Sequence, residues 1–143
     1  MILDKNISSE PIYTIGVASE KLGISVHSLR QYENEGLILT HKTDTGRRLF
    51  SDVEMQKIKC IKKMIKEDGL NFNGIRRMLA LIPCWKLRGC NNEKKSVCSP
   101  LKIKTVPCWA SEEKCADPLP SCRDCPVYKS ITHCDDLVQL IYD

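Results

Sequence analysis

Apolar positions between residues 14 and 34 follow the spacing of two short amphipathic helices. Thr14 is a suitable N-cap for the first helix and Gly23 ends it, while Ser25 caps the second. The apolar positions that face inward are Ile15, Ala18 and Leu22 in the first helix and Val26 and Leu29 in the second. Two short helices joined at a glycine predict a helix-turn-helix.

The outer face of the second helix is polar and carries His27, Ser28, Arg30 and Gln31. Arginine and glutamine can address base edges with two hydrogen bonds each, and serine and histidine near the helix start can reach bases or phosphates. The pattern therefore favours a helix that reads the major groove. The alternative is an ordinary solvated polar face.

Residues 37–50, LILTHKTDTGRRLF, have two apolar ends around a polar turn. This pattern predicts a β-hairpin, or wing. Arg47 and Arg48 follow its tip, where cations can meet the phosphate backbone beside the recognition helix. A solvated charged turn is the alternative interpretation.

Two further helices are predicted before Pro83. Ser51 and Glu54 form a capping box that opens a helix running to about Glu67, and Asn71 caps a last one. Cys60 flanks the apolar stripe of the longer helix and is interpreted as a small buried hydrophobe. The remaining faces of that helix are expected to expose lysines that either help to attract DNA or only keep the helix soluble: Lys57, Lys59, Lys62, Lys63 and Lys66.

Cysteine content separates the two halves of the chain. Of the nine cysteines, only Cys60 precedes residue 84. The N-terminus lacks the features of a signal peptide and no apolar run approaches a membrane span, so a cytoplasmic protein without a membrane partner is expected. In a reducing compartment, clustered cysteines favour metal or cluster ligands, or redox-active thiols, over a static disulfide framework.

The stretch TIGVASEKLGISVHSLRQYENEGLI followed by GRRLFS resembles the winged helix-turn-helix domain of MerR-type transcriptional regulators, across about residues 13–81. The pieces RQYENEGLI, GRRLFS and EDGLNFNGIRRML look more like the heat-shock-repressor-like branch than the mercury-sensing one. The resemblance implies these DNA-binding residues: Thr14, His27, Ser28, Arg30, Gln31, Tyr32, Arg47 and Arg48. Tyr32 would reach a phosphate, with core packing as its alternative role.

The same resemblance implies double-stranded DNA as the partner, in the form of a promoter palindrome bound by a homodimer, and a contact with RNA polymerase. Members of this family usually continue into a long helix that pairs with its twin and forms the dimer. Here Pro83 and the cysteine-rich segment occupy that place. The mode of dimerisation is therefore open.

Eight cysteines follow Pro83, and few apolar side chains accompany them. Such a segment is expected to fold on ligand bonds rather than on a hydrophobic core. The ligand candidates are Cys84, Cys90, Cys98, Cys108, Cys115, Cys122, Cys125 and Cys134. Pro126 after Cys125 and the scarcity of histidine favour an iron-sulfur cluster, and zinc is the alternative centre. Trp85 and Trp109 would shield sulfur from water, or fill a zinc-stapled module.

The pattern CWKLRGC, Cys98, CW, Cys115 and CRDCPVY also resembles the two-CW domain, a cysteine-rich module of bacterial and archaeal sensory proteins. That resemblance covers about residues 84–128 and would make the two Cys-Trp pairs halves of one ligand-bearing unit. His133 is interpreted as a surface residue before a ligand.

The expected fold is mainly α. Four segments are predicted: a flexible tail over 1–12, the MerR-like winged helix-turn-helix over 13–82, the cysteine-rich module over 83–134 and a short helix over 135–143. The expected function is a sequence-specific, dimeric regulator that senses redox or metal status through a cluster or metal, and not an enzyme. The alternatives are a constitutive regulator with a structural zinc module and, less favoured, a thiol-disulfide enzyme using Cys122 and Cys125.

Overall fold

The computed structural model describes residues 7–89, 93, 105–111, 115 and 121–130. In these residues the chain is mainly helical, as predicted. Cys90, Cys98, Cys134, His133, the predicted helix over 135–143 and residues 1–6 of the predicted tail lie outside them. The helices are α1 (Ile15–Leu22), α2 (Val26–Asn34), α3 (Asp52–Lys66), α4 (Phe72–Leu79), α5 (Cys84–Arg88) and α6 (Pro126–Lys129).

The helix-turn-helix forms as its capping residues predict. The side chain of Thr14 accepts a hydrogen bond from the backbone of Val17, and Gly23 ends α1 in the left-handed region. Ser25 caps α2 by accepting from the backbone N–H of Ser28 at 3.1 Å. Ala18 and Leu29 are fully buried between the two helices. The prediction for residues 14–34 is confirmed.

A small antiparallel sheet carries the wing. Its strands are β1 (Tyr13–Thr14), β2 (His41–Lys42) and β3 (Arg48–Phe50), in the order β1-β3-β2. The wing predicted over 37–50 is therefore present, and it has a third strand, β1, that the sequence pattern did not reveal. Each strand pairing joins only two residue pairs, so few backbone hydrogen bonds set the angle of the wing.

The capping box predicted for α3 is present. The carboxylate of Glu54 accepts from the backbone N–H of Ser51 at 2.8 Å and from its hydroxyl at 2.7 Å. Asn71 caps α4 by accepting from Gly74 N–H at 2.8 Å. Cys60 is buried, as predicted, and is also disulfide-bonded, which its position on the helix did not predict.

The exposure expected for Lys57 is wrong. Its residue exposure is 3%, because its side chain lies under aromatic rings from the cysteine-rich segment. Trp109, Val127 and Tyr128 are buried in the same core as α1–α4. The described part of the segment after Pro83 therefore shares its apolar packing with the N-terminal domain.

Residues 7–12, predicted as part of a flexible tail, are held against the domain. The carbonyl of Ser8 accepts from Val53 N–H at 3.3 Å, and Ile12 N–H donates to the carbonyl of Phe50 at 3.1 Å. The bond from Ile12 continues the pairing of β1 with β3, and the bond to Ser8 joins this segment to the start of α3. Within the described residues, no helix has the length and apolar character needed to cross a membrane.

Candidate nucleic-acid interface

A groove lies between the start of α1, the exposed face of α2 and the tip of the wing. Its volume is about 420 Å³, and four of the predicted DNA-binding residues line it: Thr14, Arg30, Arg47 and Arg48. Gly46 forms the wing tip with φ of 82°, a conformation that glycine adopts without steric cost. Three arginines on one concave surface form an electropositive site suited to phosphate.

The exposed face of α2 presents the remaining predicted contacts. His27, Arg30 and Gln31 are exposed, and Ser28 is half-buried, with its hydroxyl accepting a hydrogen bond from that of Ser25 at 3.0 Å. The exposed side chains are placed to enter a groove of DNA from one side of the helix. Their contacts with bases or phosphates stay predictions.

Arg48 differs from Arg47 in its surroundings. Its Nε lies 2.6 Å from the Glu33 carboxylate, so this side chain ties β3 to α2. Thr40 donates to the same carboxylate. Arg47 is exposed, and no ion pair is found for it among the described residues. Arg47 is therefore the freer of the two cations for a phosphate, and Glu33 is a positioning residue that sequence reasoning missed.

Tyr32 is only 6% exposed and packs edge-on against Phe72, with 5.9 Å between ring centroids. Burial raises its pKa. The core-packing role considered for Tyr32 therefore applies to its ring. A phosphate contact through its hydroxyl stays a prediction.

A cluster of buried polar and aromatic side chains joins the cysteine-rich segment to the base of the wing. We call it the junction, and its members are Glu54, Lys57, Trp109, Arg123 and Tyr128. Glu54, 1% exposed, accepts from Arg123 at 2.8 Å and from the Tyr128 hydroxyl at 3.1 Å, besides its two bonds from Ser51. One carboxylate therefore serves both as a helix cap and as the anchor of a distant segment.

The aromatic side of the junction encloses Lys57. Its ammonium lies 4.7 Å from the centroid of the Trp109 ring and 4.4 Å from that of Tyr128. The two rings meet edge-to-face with centroids 5.2 Å apart. Cation–π attraction is strongest where water is excluded, as it is here.

The sequence held one unused signal for this junction. Lys57 lies three positions after Glu54 and Ile61 lies four positions after Lys57, so these charged side chains share a helix face with the buried stripe. Opposite charges on an apolar face need buried partners. Nothing local identifies those partners, because Arg123 and Tyr128 lie 69 and 74 residues from Glu54.

Five of the predicted ligand cysteines lie in the described residues and are not disulfide-bonded: Cys84, Cys108, Cys115, Cys122 and Cys125. Burial first, and then the charges of the other four thiols, raise the pKa of Cys108 to about 12. The fold therefore brings them near one another. In the described residues, however, no three His, Cys, Asp or Glu side chains stand at distances that would hold a metal ion.

The N-terminal half of the chain is similar to known proteins. Residues 13–82 match the MerR HTH family regulatory protein model. Over 71 residues the chain is 30% identical to the putative heat shock protein HspR of Streptomyces coelicolor, covering 50% of this chain and 47% of that protein.

Over 73 residues the chain is 33% identical to the HTH-type transcriptional regulator GlnR of Bacillus anthracis, covering 51% of this chain and 56% of that one. The mercuric resistance operon regulatory protein of Bacillus cereus is 31% identical over 71 residues, which are 49% of this chain and 53% of that protein.

The chain thus spans about half the length of the curated relatives it matches. The matched residues are those that form the helix-turn-helix, the wing and the helices α3 and α4. Both the geometry and the comparisons lead to the same assignment. Residues 13–82 of this chain form a helix-turn-helix domain of the MerR family.

Proposed function

We propose that this chain is a sequence-specific, dimeric DNA-binding regulator of transcription whose cysteine-rich segment binds an iron-sulfur cluster or a metal. The observation that carries the DNA-binding half is the electropositive groove shared by Thr14, Arg30, Arg47 and Arg48. The role in regulating transcription is supported by the kinds of protein to which residues 13–82 are similar.

In this proposal α2 lies in the major groove of DNA. Arg30 and Gln31 read base edges, and His27 and Ser28 contact bases or phosphates near the helix start. Arg47 at the wing tip meets the phosphate backbone, which positions the protein without reading sequence. A homodimer on a palindromic operator would present two such helices to successive major grooves, and RNA polymerase is a further proposed partner.

The cofactor proposal is supported by the thiols. Five cysteines outside disulfides lie close enough for the other four to affect Cys108, and thiolate is the ligand that both zinc and iron-sulfur clusters prefer. In the described residues the thiols are close without converging on one point, so binding would draw them together. A cluster would supply a one-electron redox change, and zinc only a structural bond.

Two arginine variants test the DNA-binding role. A duplex is first selected from a random-sequence library with the full chain, and its affinity is compared with that of a scrambled duplex. Arg30→Ala should weaken selected-duplex binding by ~1–3 kcal/mol and scrambled binding much less. Arg47→Ala should weaken both and lower the salt slope by about 1.

Arg77→Ala serves as the matched control, because Arg77 is exposed on α4 and does not line the groove. Its affinity for both duplexes should stay near that of the wild type. Equal losses of affinity for both duplexes in Arg30→Ala would indicate that Arg30 contacts a phosphate and does not read a base. Failure to select any duplex would contradict the proposed function itself.

Purification of the full chain without oxygen tests the cofactor. A cluster predicts brown protein, with iron and acid-labile sulfide in simple ratio to the chain and visible absorbance that bleaches on oxidation. A colourless protein with stoichiometric zinc would contradict the cluster and support a constitutive regulator with a structural metal. Protein without metal or sulfide would contradict both.

A further inference from the structure

The junction links the two ends of the wing, the residues before β2 and the residues after β3. Leu39 precedes β2, and both its N–H and its carbonyl contact the Tyr128 hydroxyl, at 2.9 and 3.1 Å. Ser51 follows β3, and both its N–H and its hydroxyl donate to Glu54. Since the Tyr128 hydroxyl also lies 3.1 Å from Glu54, one continuous network closes the base of the wing.

Trp109 contacts the start of the segment that connects α2 to β2. Its indole N–H donates to the carbonyl of Gly36 at 2.9 Å, directly after α2 ends. An added Cβ on Gly36 would come within 2.7 Å of the Ala110 Cβ, so the cysteine-rich segment lies in close contact with this backbone. Residues 36–39, which lead from the recognition helix to the wing, are therefore held at both ends.

The sheet itself gives the wing little support. β2 and β3 pair through only two residue pairs, and β3 pairs with β1 through two more. Few ladder hydrogen bonds thus hold the wing, so its angle to α2 depends on contacts outside the sheet: the Arg48–Glu33 ion pair and the almost fully buried junction. Buried hydrogen bonds in such a network are directional and costly to leave unmade.

We propose that Trp109 and Tyr128 are positioning residues for DNA binding: they set the wing against the recognition helix so that Arg47 and Arg30 address one duplex together. The inference rests on the proposed function for its effect on DNA, but the positioning is a property of the protein alone. Trp109 directly follows Cys108, and Tyr128 is three residues after Cys125. Two of the cysteines proposed as ligands are thereby close in sequence to the side chains that position the wing.

The first test needs no DNA. Tyr128→Phe in the full chain removes the hydroxyl that accepts from Leu39 N–H and keeps the ring against Trp109. Hydrogen exchange of the Leu39 amide should become about tenfold faster or more. Tyr13→Phe is the matched control, because the Tyr13 hydroxyl also bonds a carboxylate of α3, Asp52 at 2.8 Å, yet contacts no member of the junction. Its Leu39 exchange should be unchanged.

The second test is a double-mutant cycle on the selected duplex. If Tyr128 positions the wing, Arg47→Ala should cost clearly less affinity in the Tyr128→Phe background than in the wild type. The Tyr13→Phe background should leave the cost of Arg47→Ala unchanged. A purely structural loss of folded protein would reduce all affinities in proportion and would leave the two losses additive.

Trp109→Phe gives a second, independent perturbation. It removes the bond to Gly36 and keeps an aromatic ring near Lys57, so it tests the same idea even if Tyr128→Phe fails to fold. Unchanged Leu39 exchange in folded Tyr128→Phe, or additive losses with Arg47→Ala in both junction variants, would overturn the proposal. Altered Leu39 exchange without any selected duplex would instead contradict the proposed function and leave the positioning intact.

Discussion

Replacement of the Glu54 carboxylate by an amide, Glu54→Gln, should destabilise the full chain severely. Glu54 is 1% exposed, and its partner Arg123 has a side chain that is 13% exposed. The amide retains one acceptor for the Ser51 cap but no longer neutralises the buried guanidinium. Breaking a buried ion pair on one side costs ~3–5 kcal/mol, and the residual exposure of Arg123 favours the lower end. We expect a loss of about 3 kcal/mol in the free energy of unfolding.

Urea denaturation followed by far-ultraviolet circular dichroism measures this loss, and for a chain of this size it corresponds to a midpoint about 10 °C lower in a thermal scan. Glu35→Gln is the matched control. Glu35 also pairs with an arginine, Arg76, but the two side chains are 32% and 22% exposed. That pair should contribute only ~0–1 kcal/mol.

Equal, small losses for Glu54→Gln and Glu35→Gln would refute this reasoning. They would mean that the carboxylate of Glu54 contributes no more than a surface ion pair. In that case the junction could not be a rigid connection between the cysteine-rich segment and the wing. A large loss for Glu54→Gln alone supports it.

Two further predictions concern the same junction. Gly36→Ala places a Cβ at φ of 76° and 2.7 Å from the Ala110 Cβ, so its free energy of unfolding should fall by about 1 kcal/mol more than that of Gly69→Ala, where φ is 69° and nothing lies within 4 Å. Adding Ala110→Gly should abolish the difference in urea midpoints, and its persistence would contradict the close contact. Burial, and then the charge of Glu54, raise the pKa of Tyr128 well above its ordinary value of 10.0, so the folded state holds this proton more tightly than the unfolded state. The stability that protonated Tyr128 contributes is complete below about pH 10 and is lost as pH rises further. Tyr128→Phe should flatten this decline of the free energy of unfolding with pH. An unaltered slope would contradict the raised pKa of Tyr128.

The helix-turn-helix, the wing and the caps of α1–α4 were predictable because each depends on residues close together in the chain. Thr14, Ser25, Ser51 and Asn71 act on backbone groups within three or four positions, and apolar spacing sets the inward faces. The groove follows from these elements, since it combines α1, α2 and the wing tip.

The junction could not be predicted in the same way. The sequence predicts a cap at Glu54 and a surface charge at Lys57, because the partners of these side chains lie about 50 or more residues away. The cysteine pattern indicates metal or cluster ligands. The side chains of Trp109, Arg123 and Tyr128, which lie between those cysteines in sequence, instead contact the N-terminal domain. Long-range packing of a segment with little periodicity leaves no local signature in the sequence.

The most direct test of the account is hydrogen exchange of the full chain with and without a selected DNA duplex. DNA binding through the groove predicts slower exchange in the wing tip around Gly46 and at the start of α2. Slowing confined to residues after Pro83, with α2 and the wing unaffected, would contradict the central claim that this helix and wing together hold DNA.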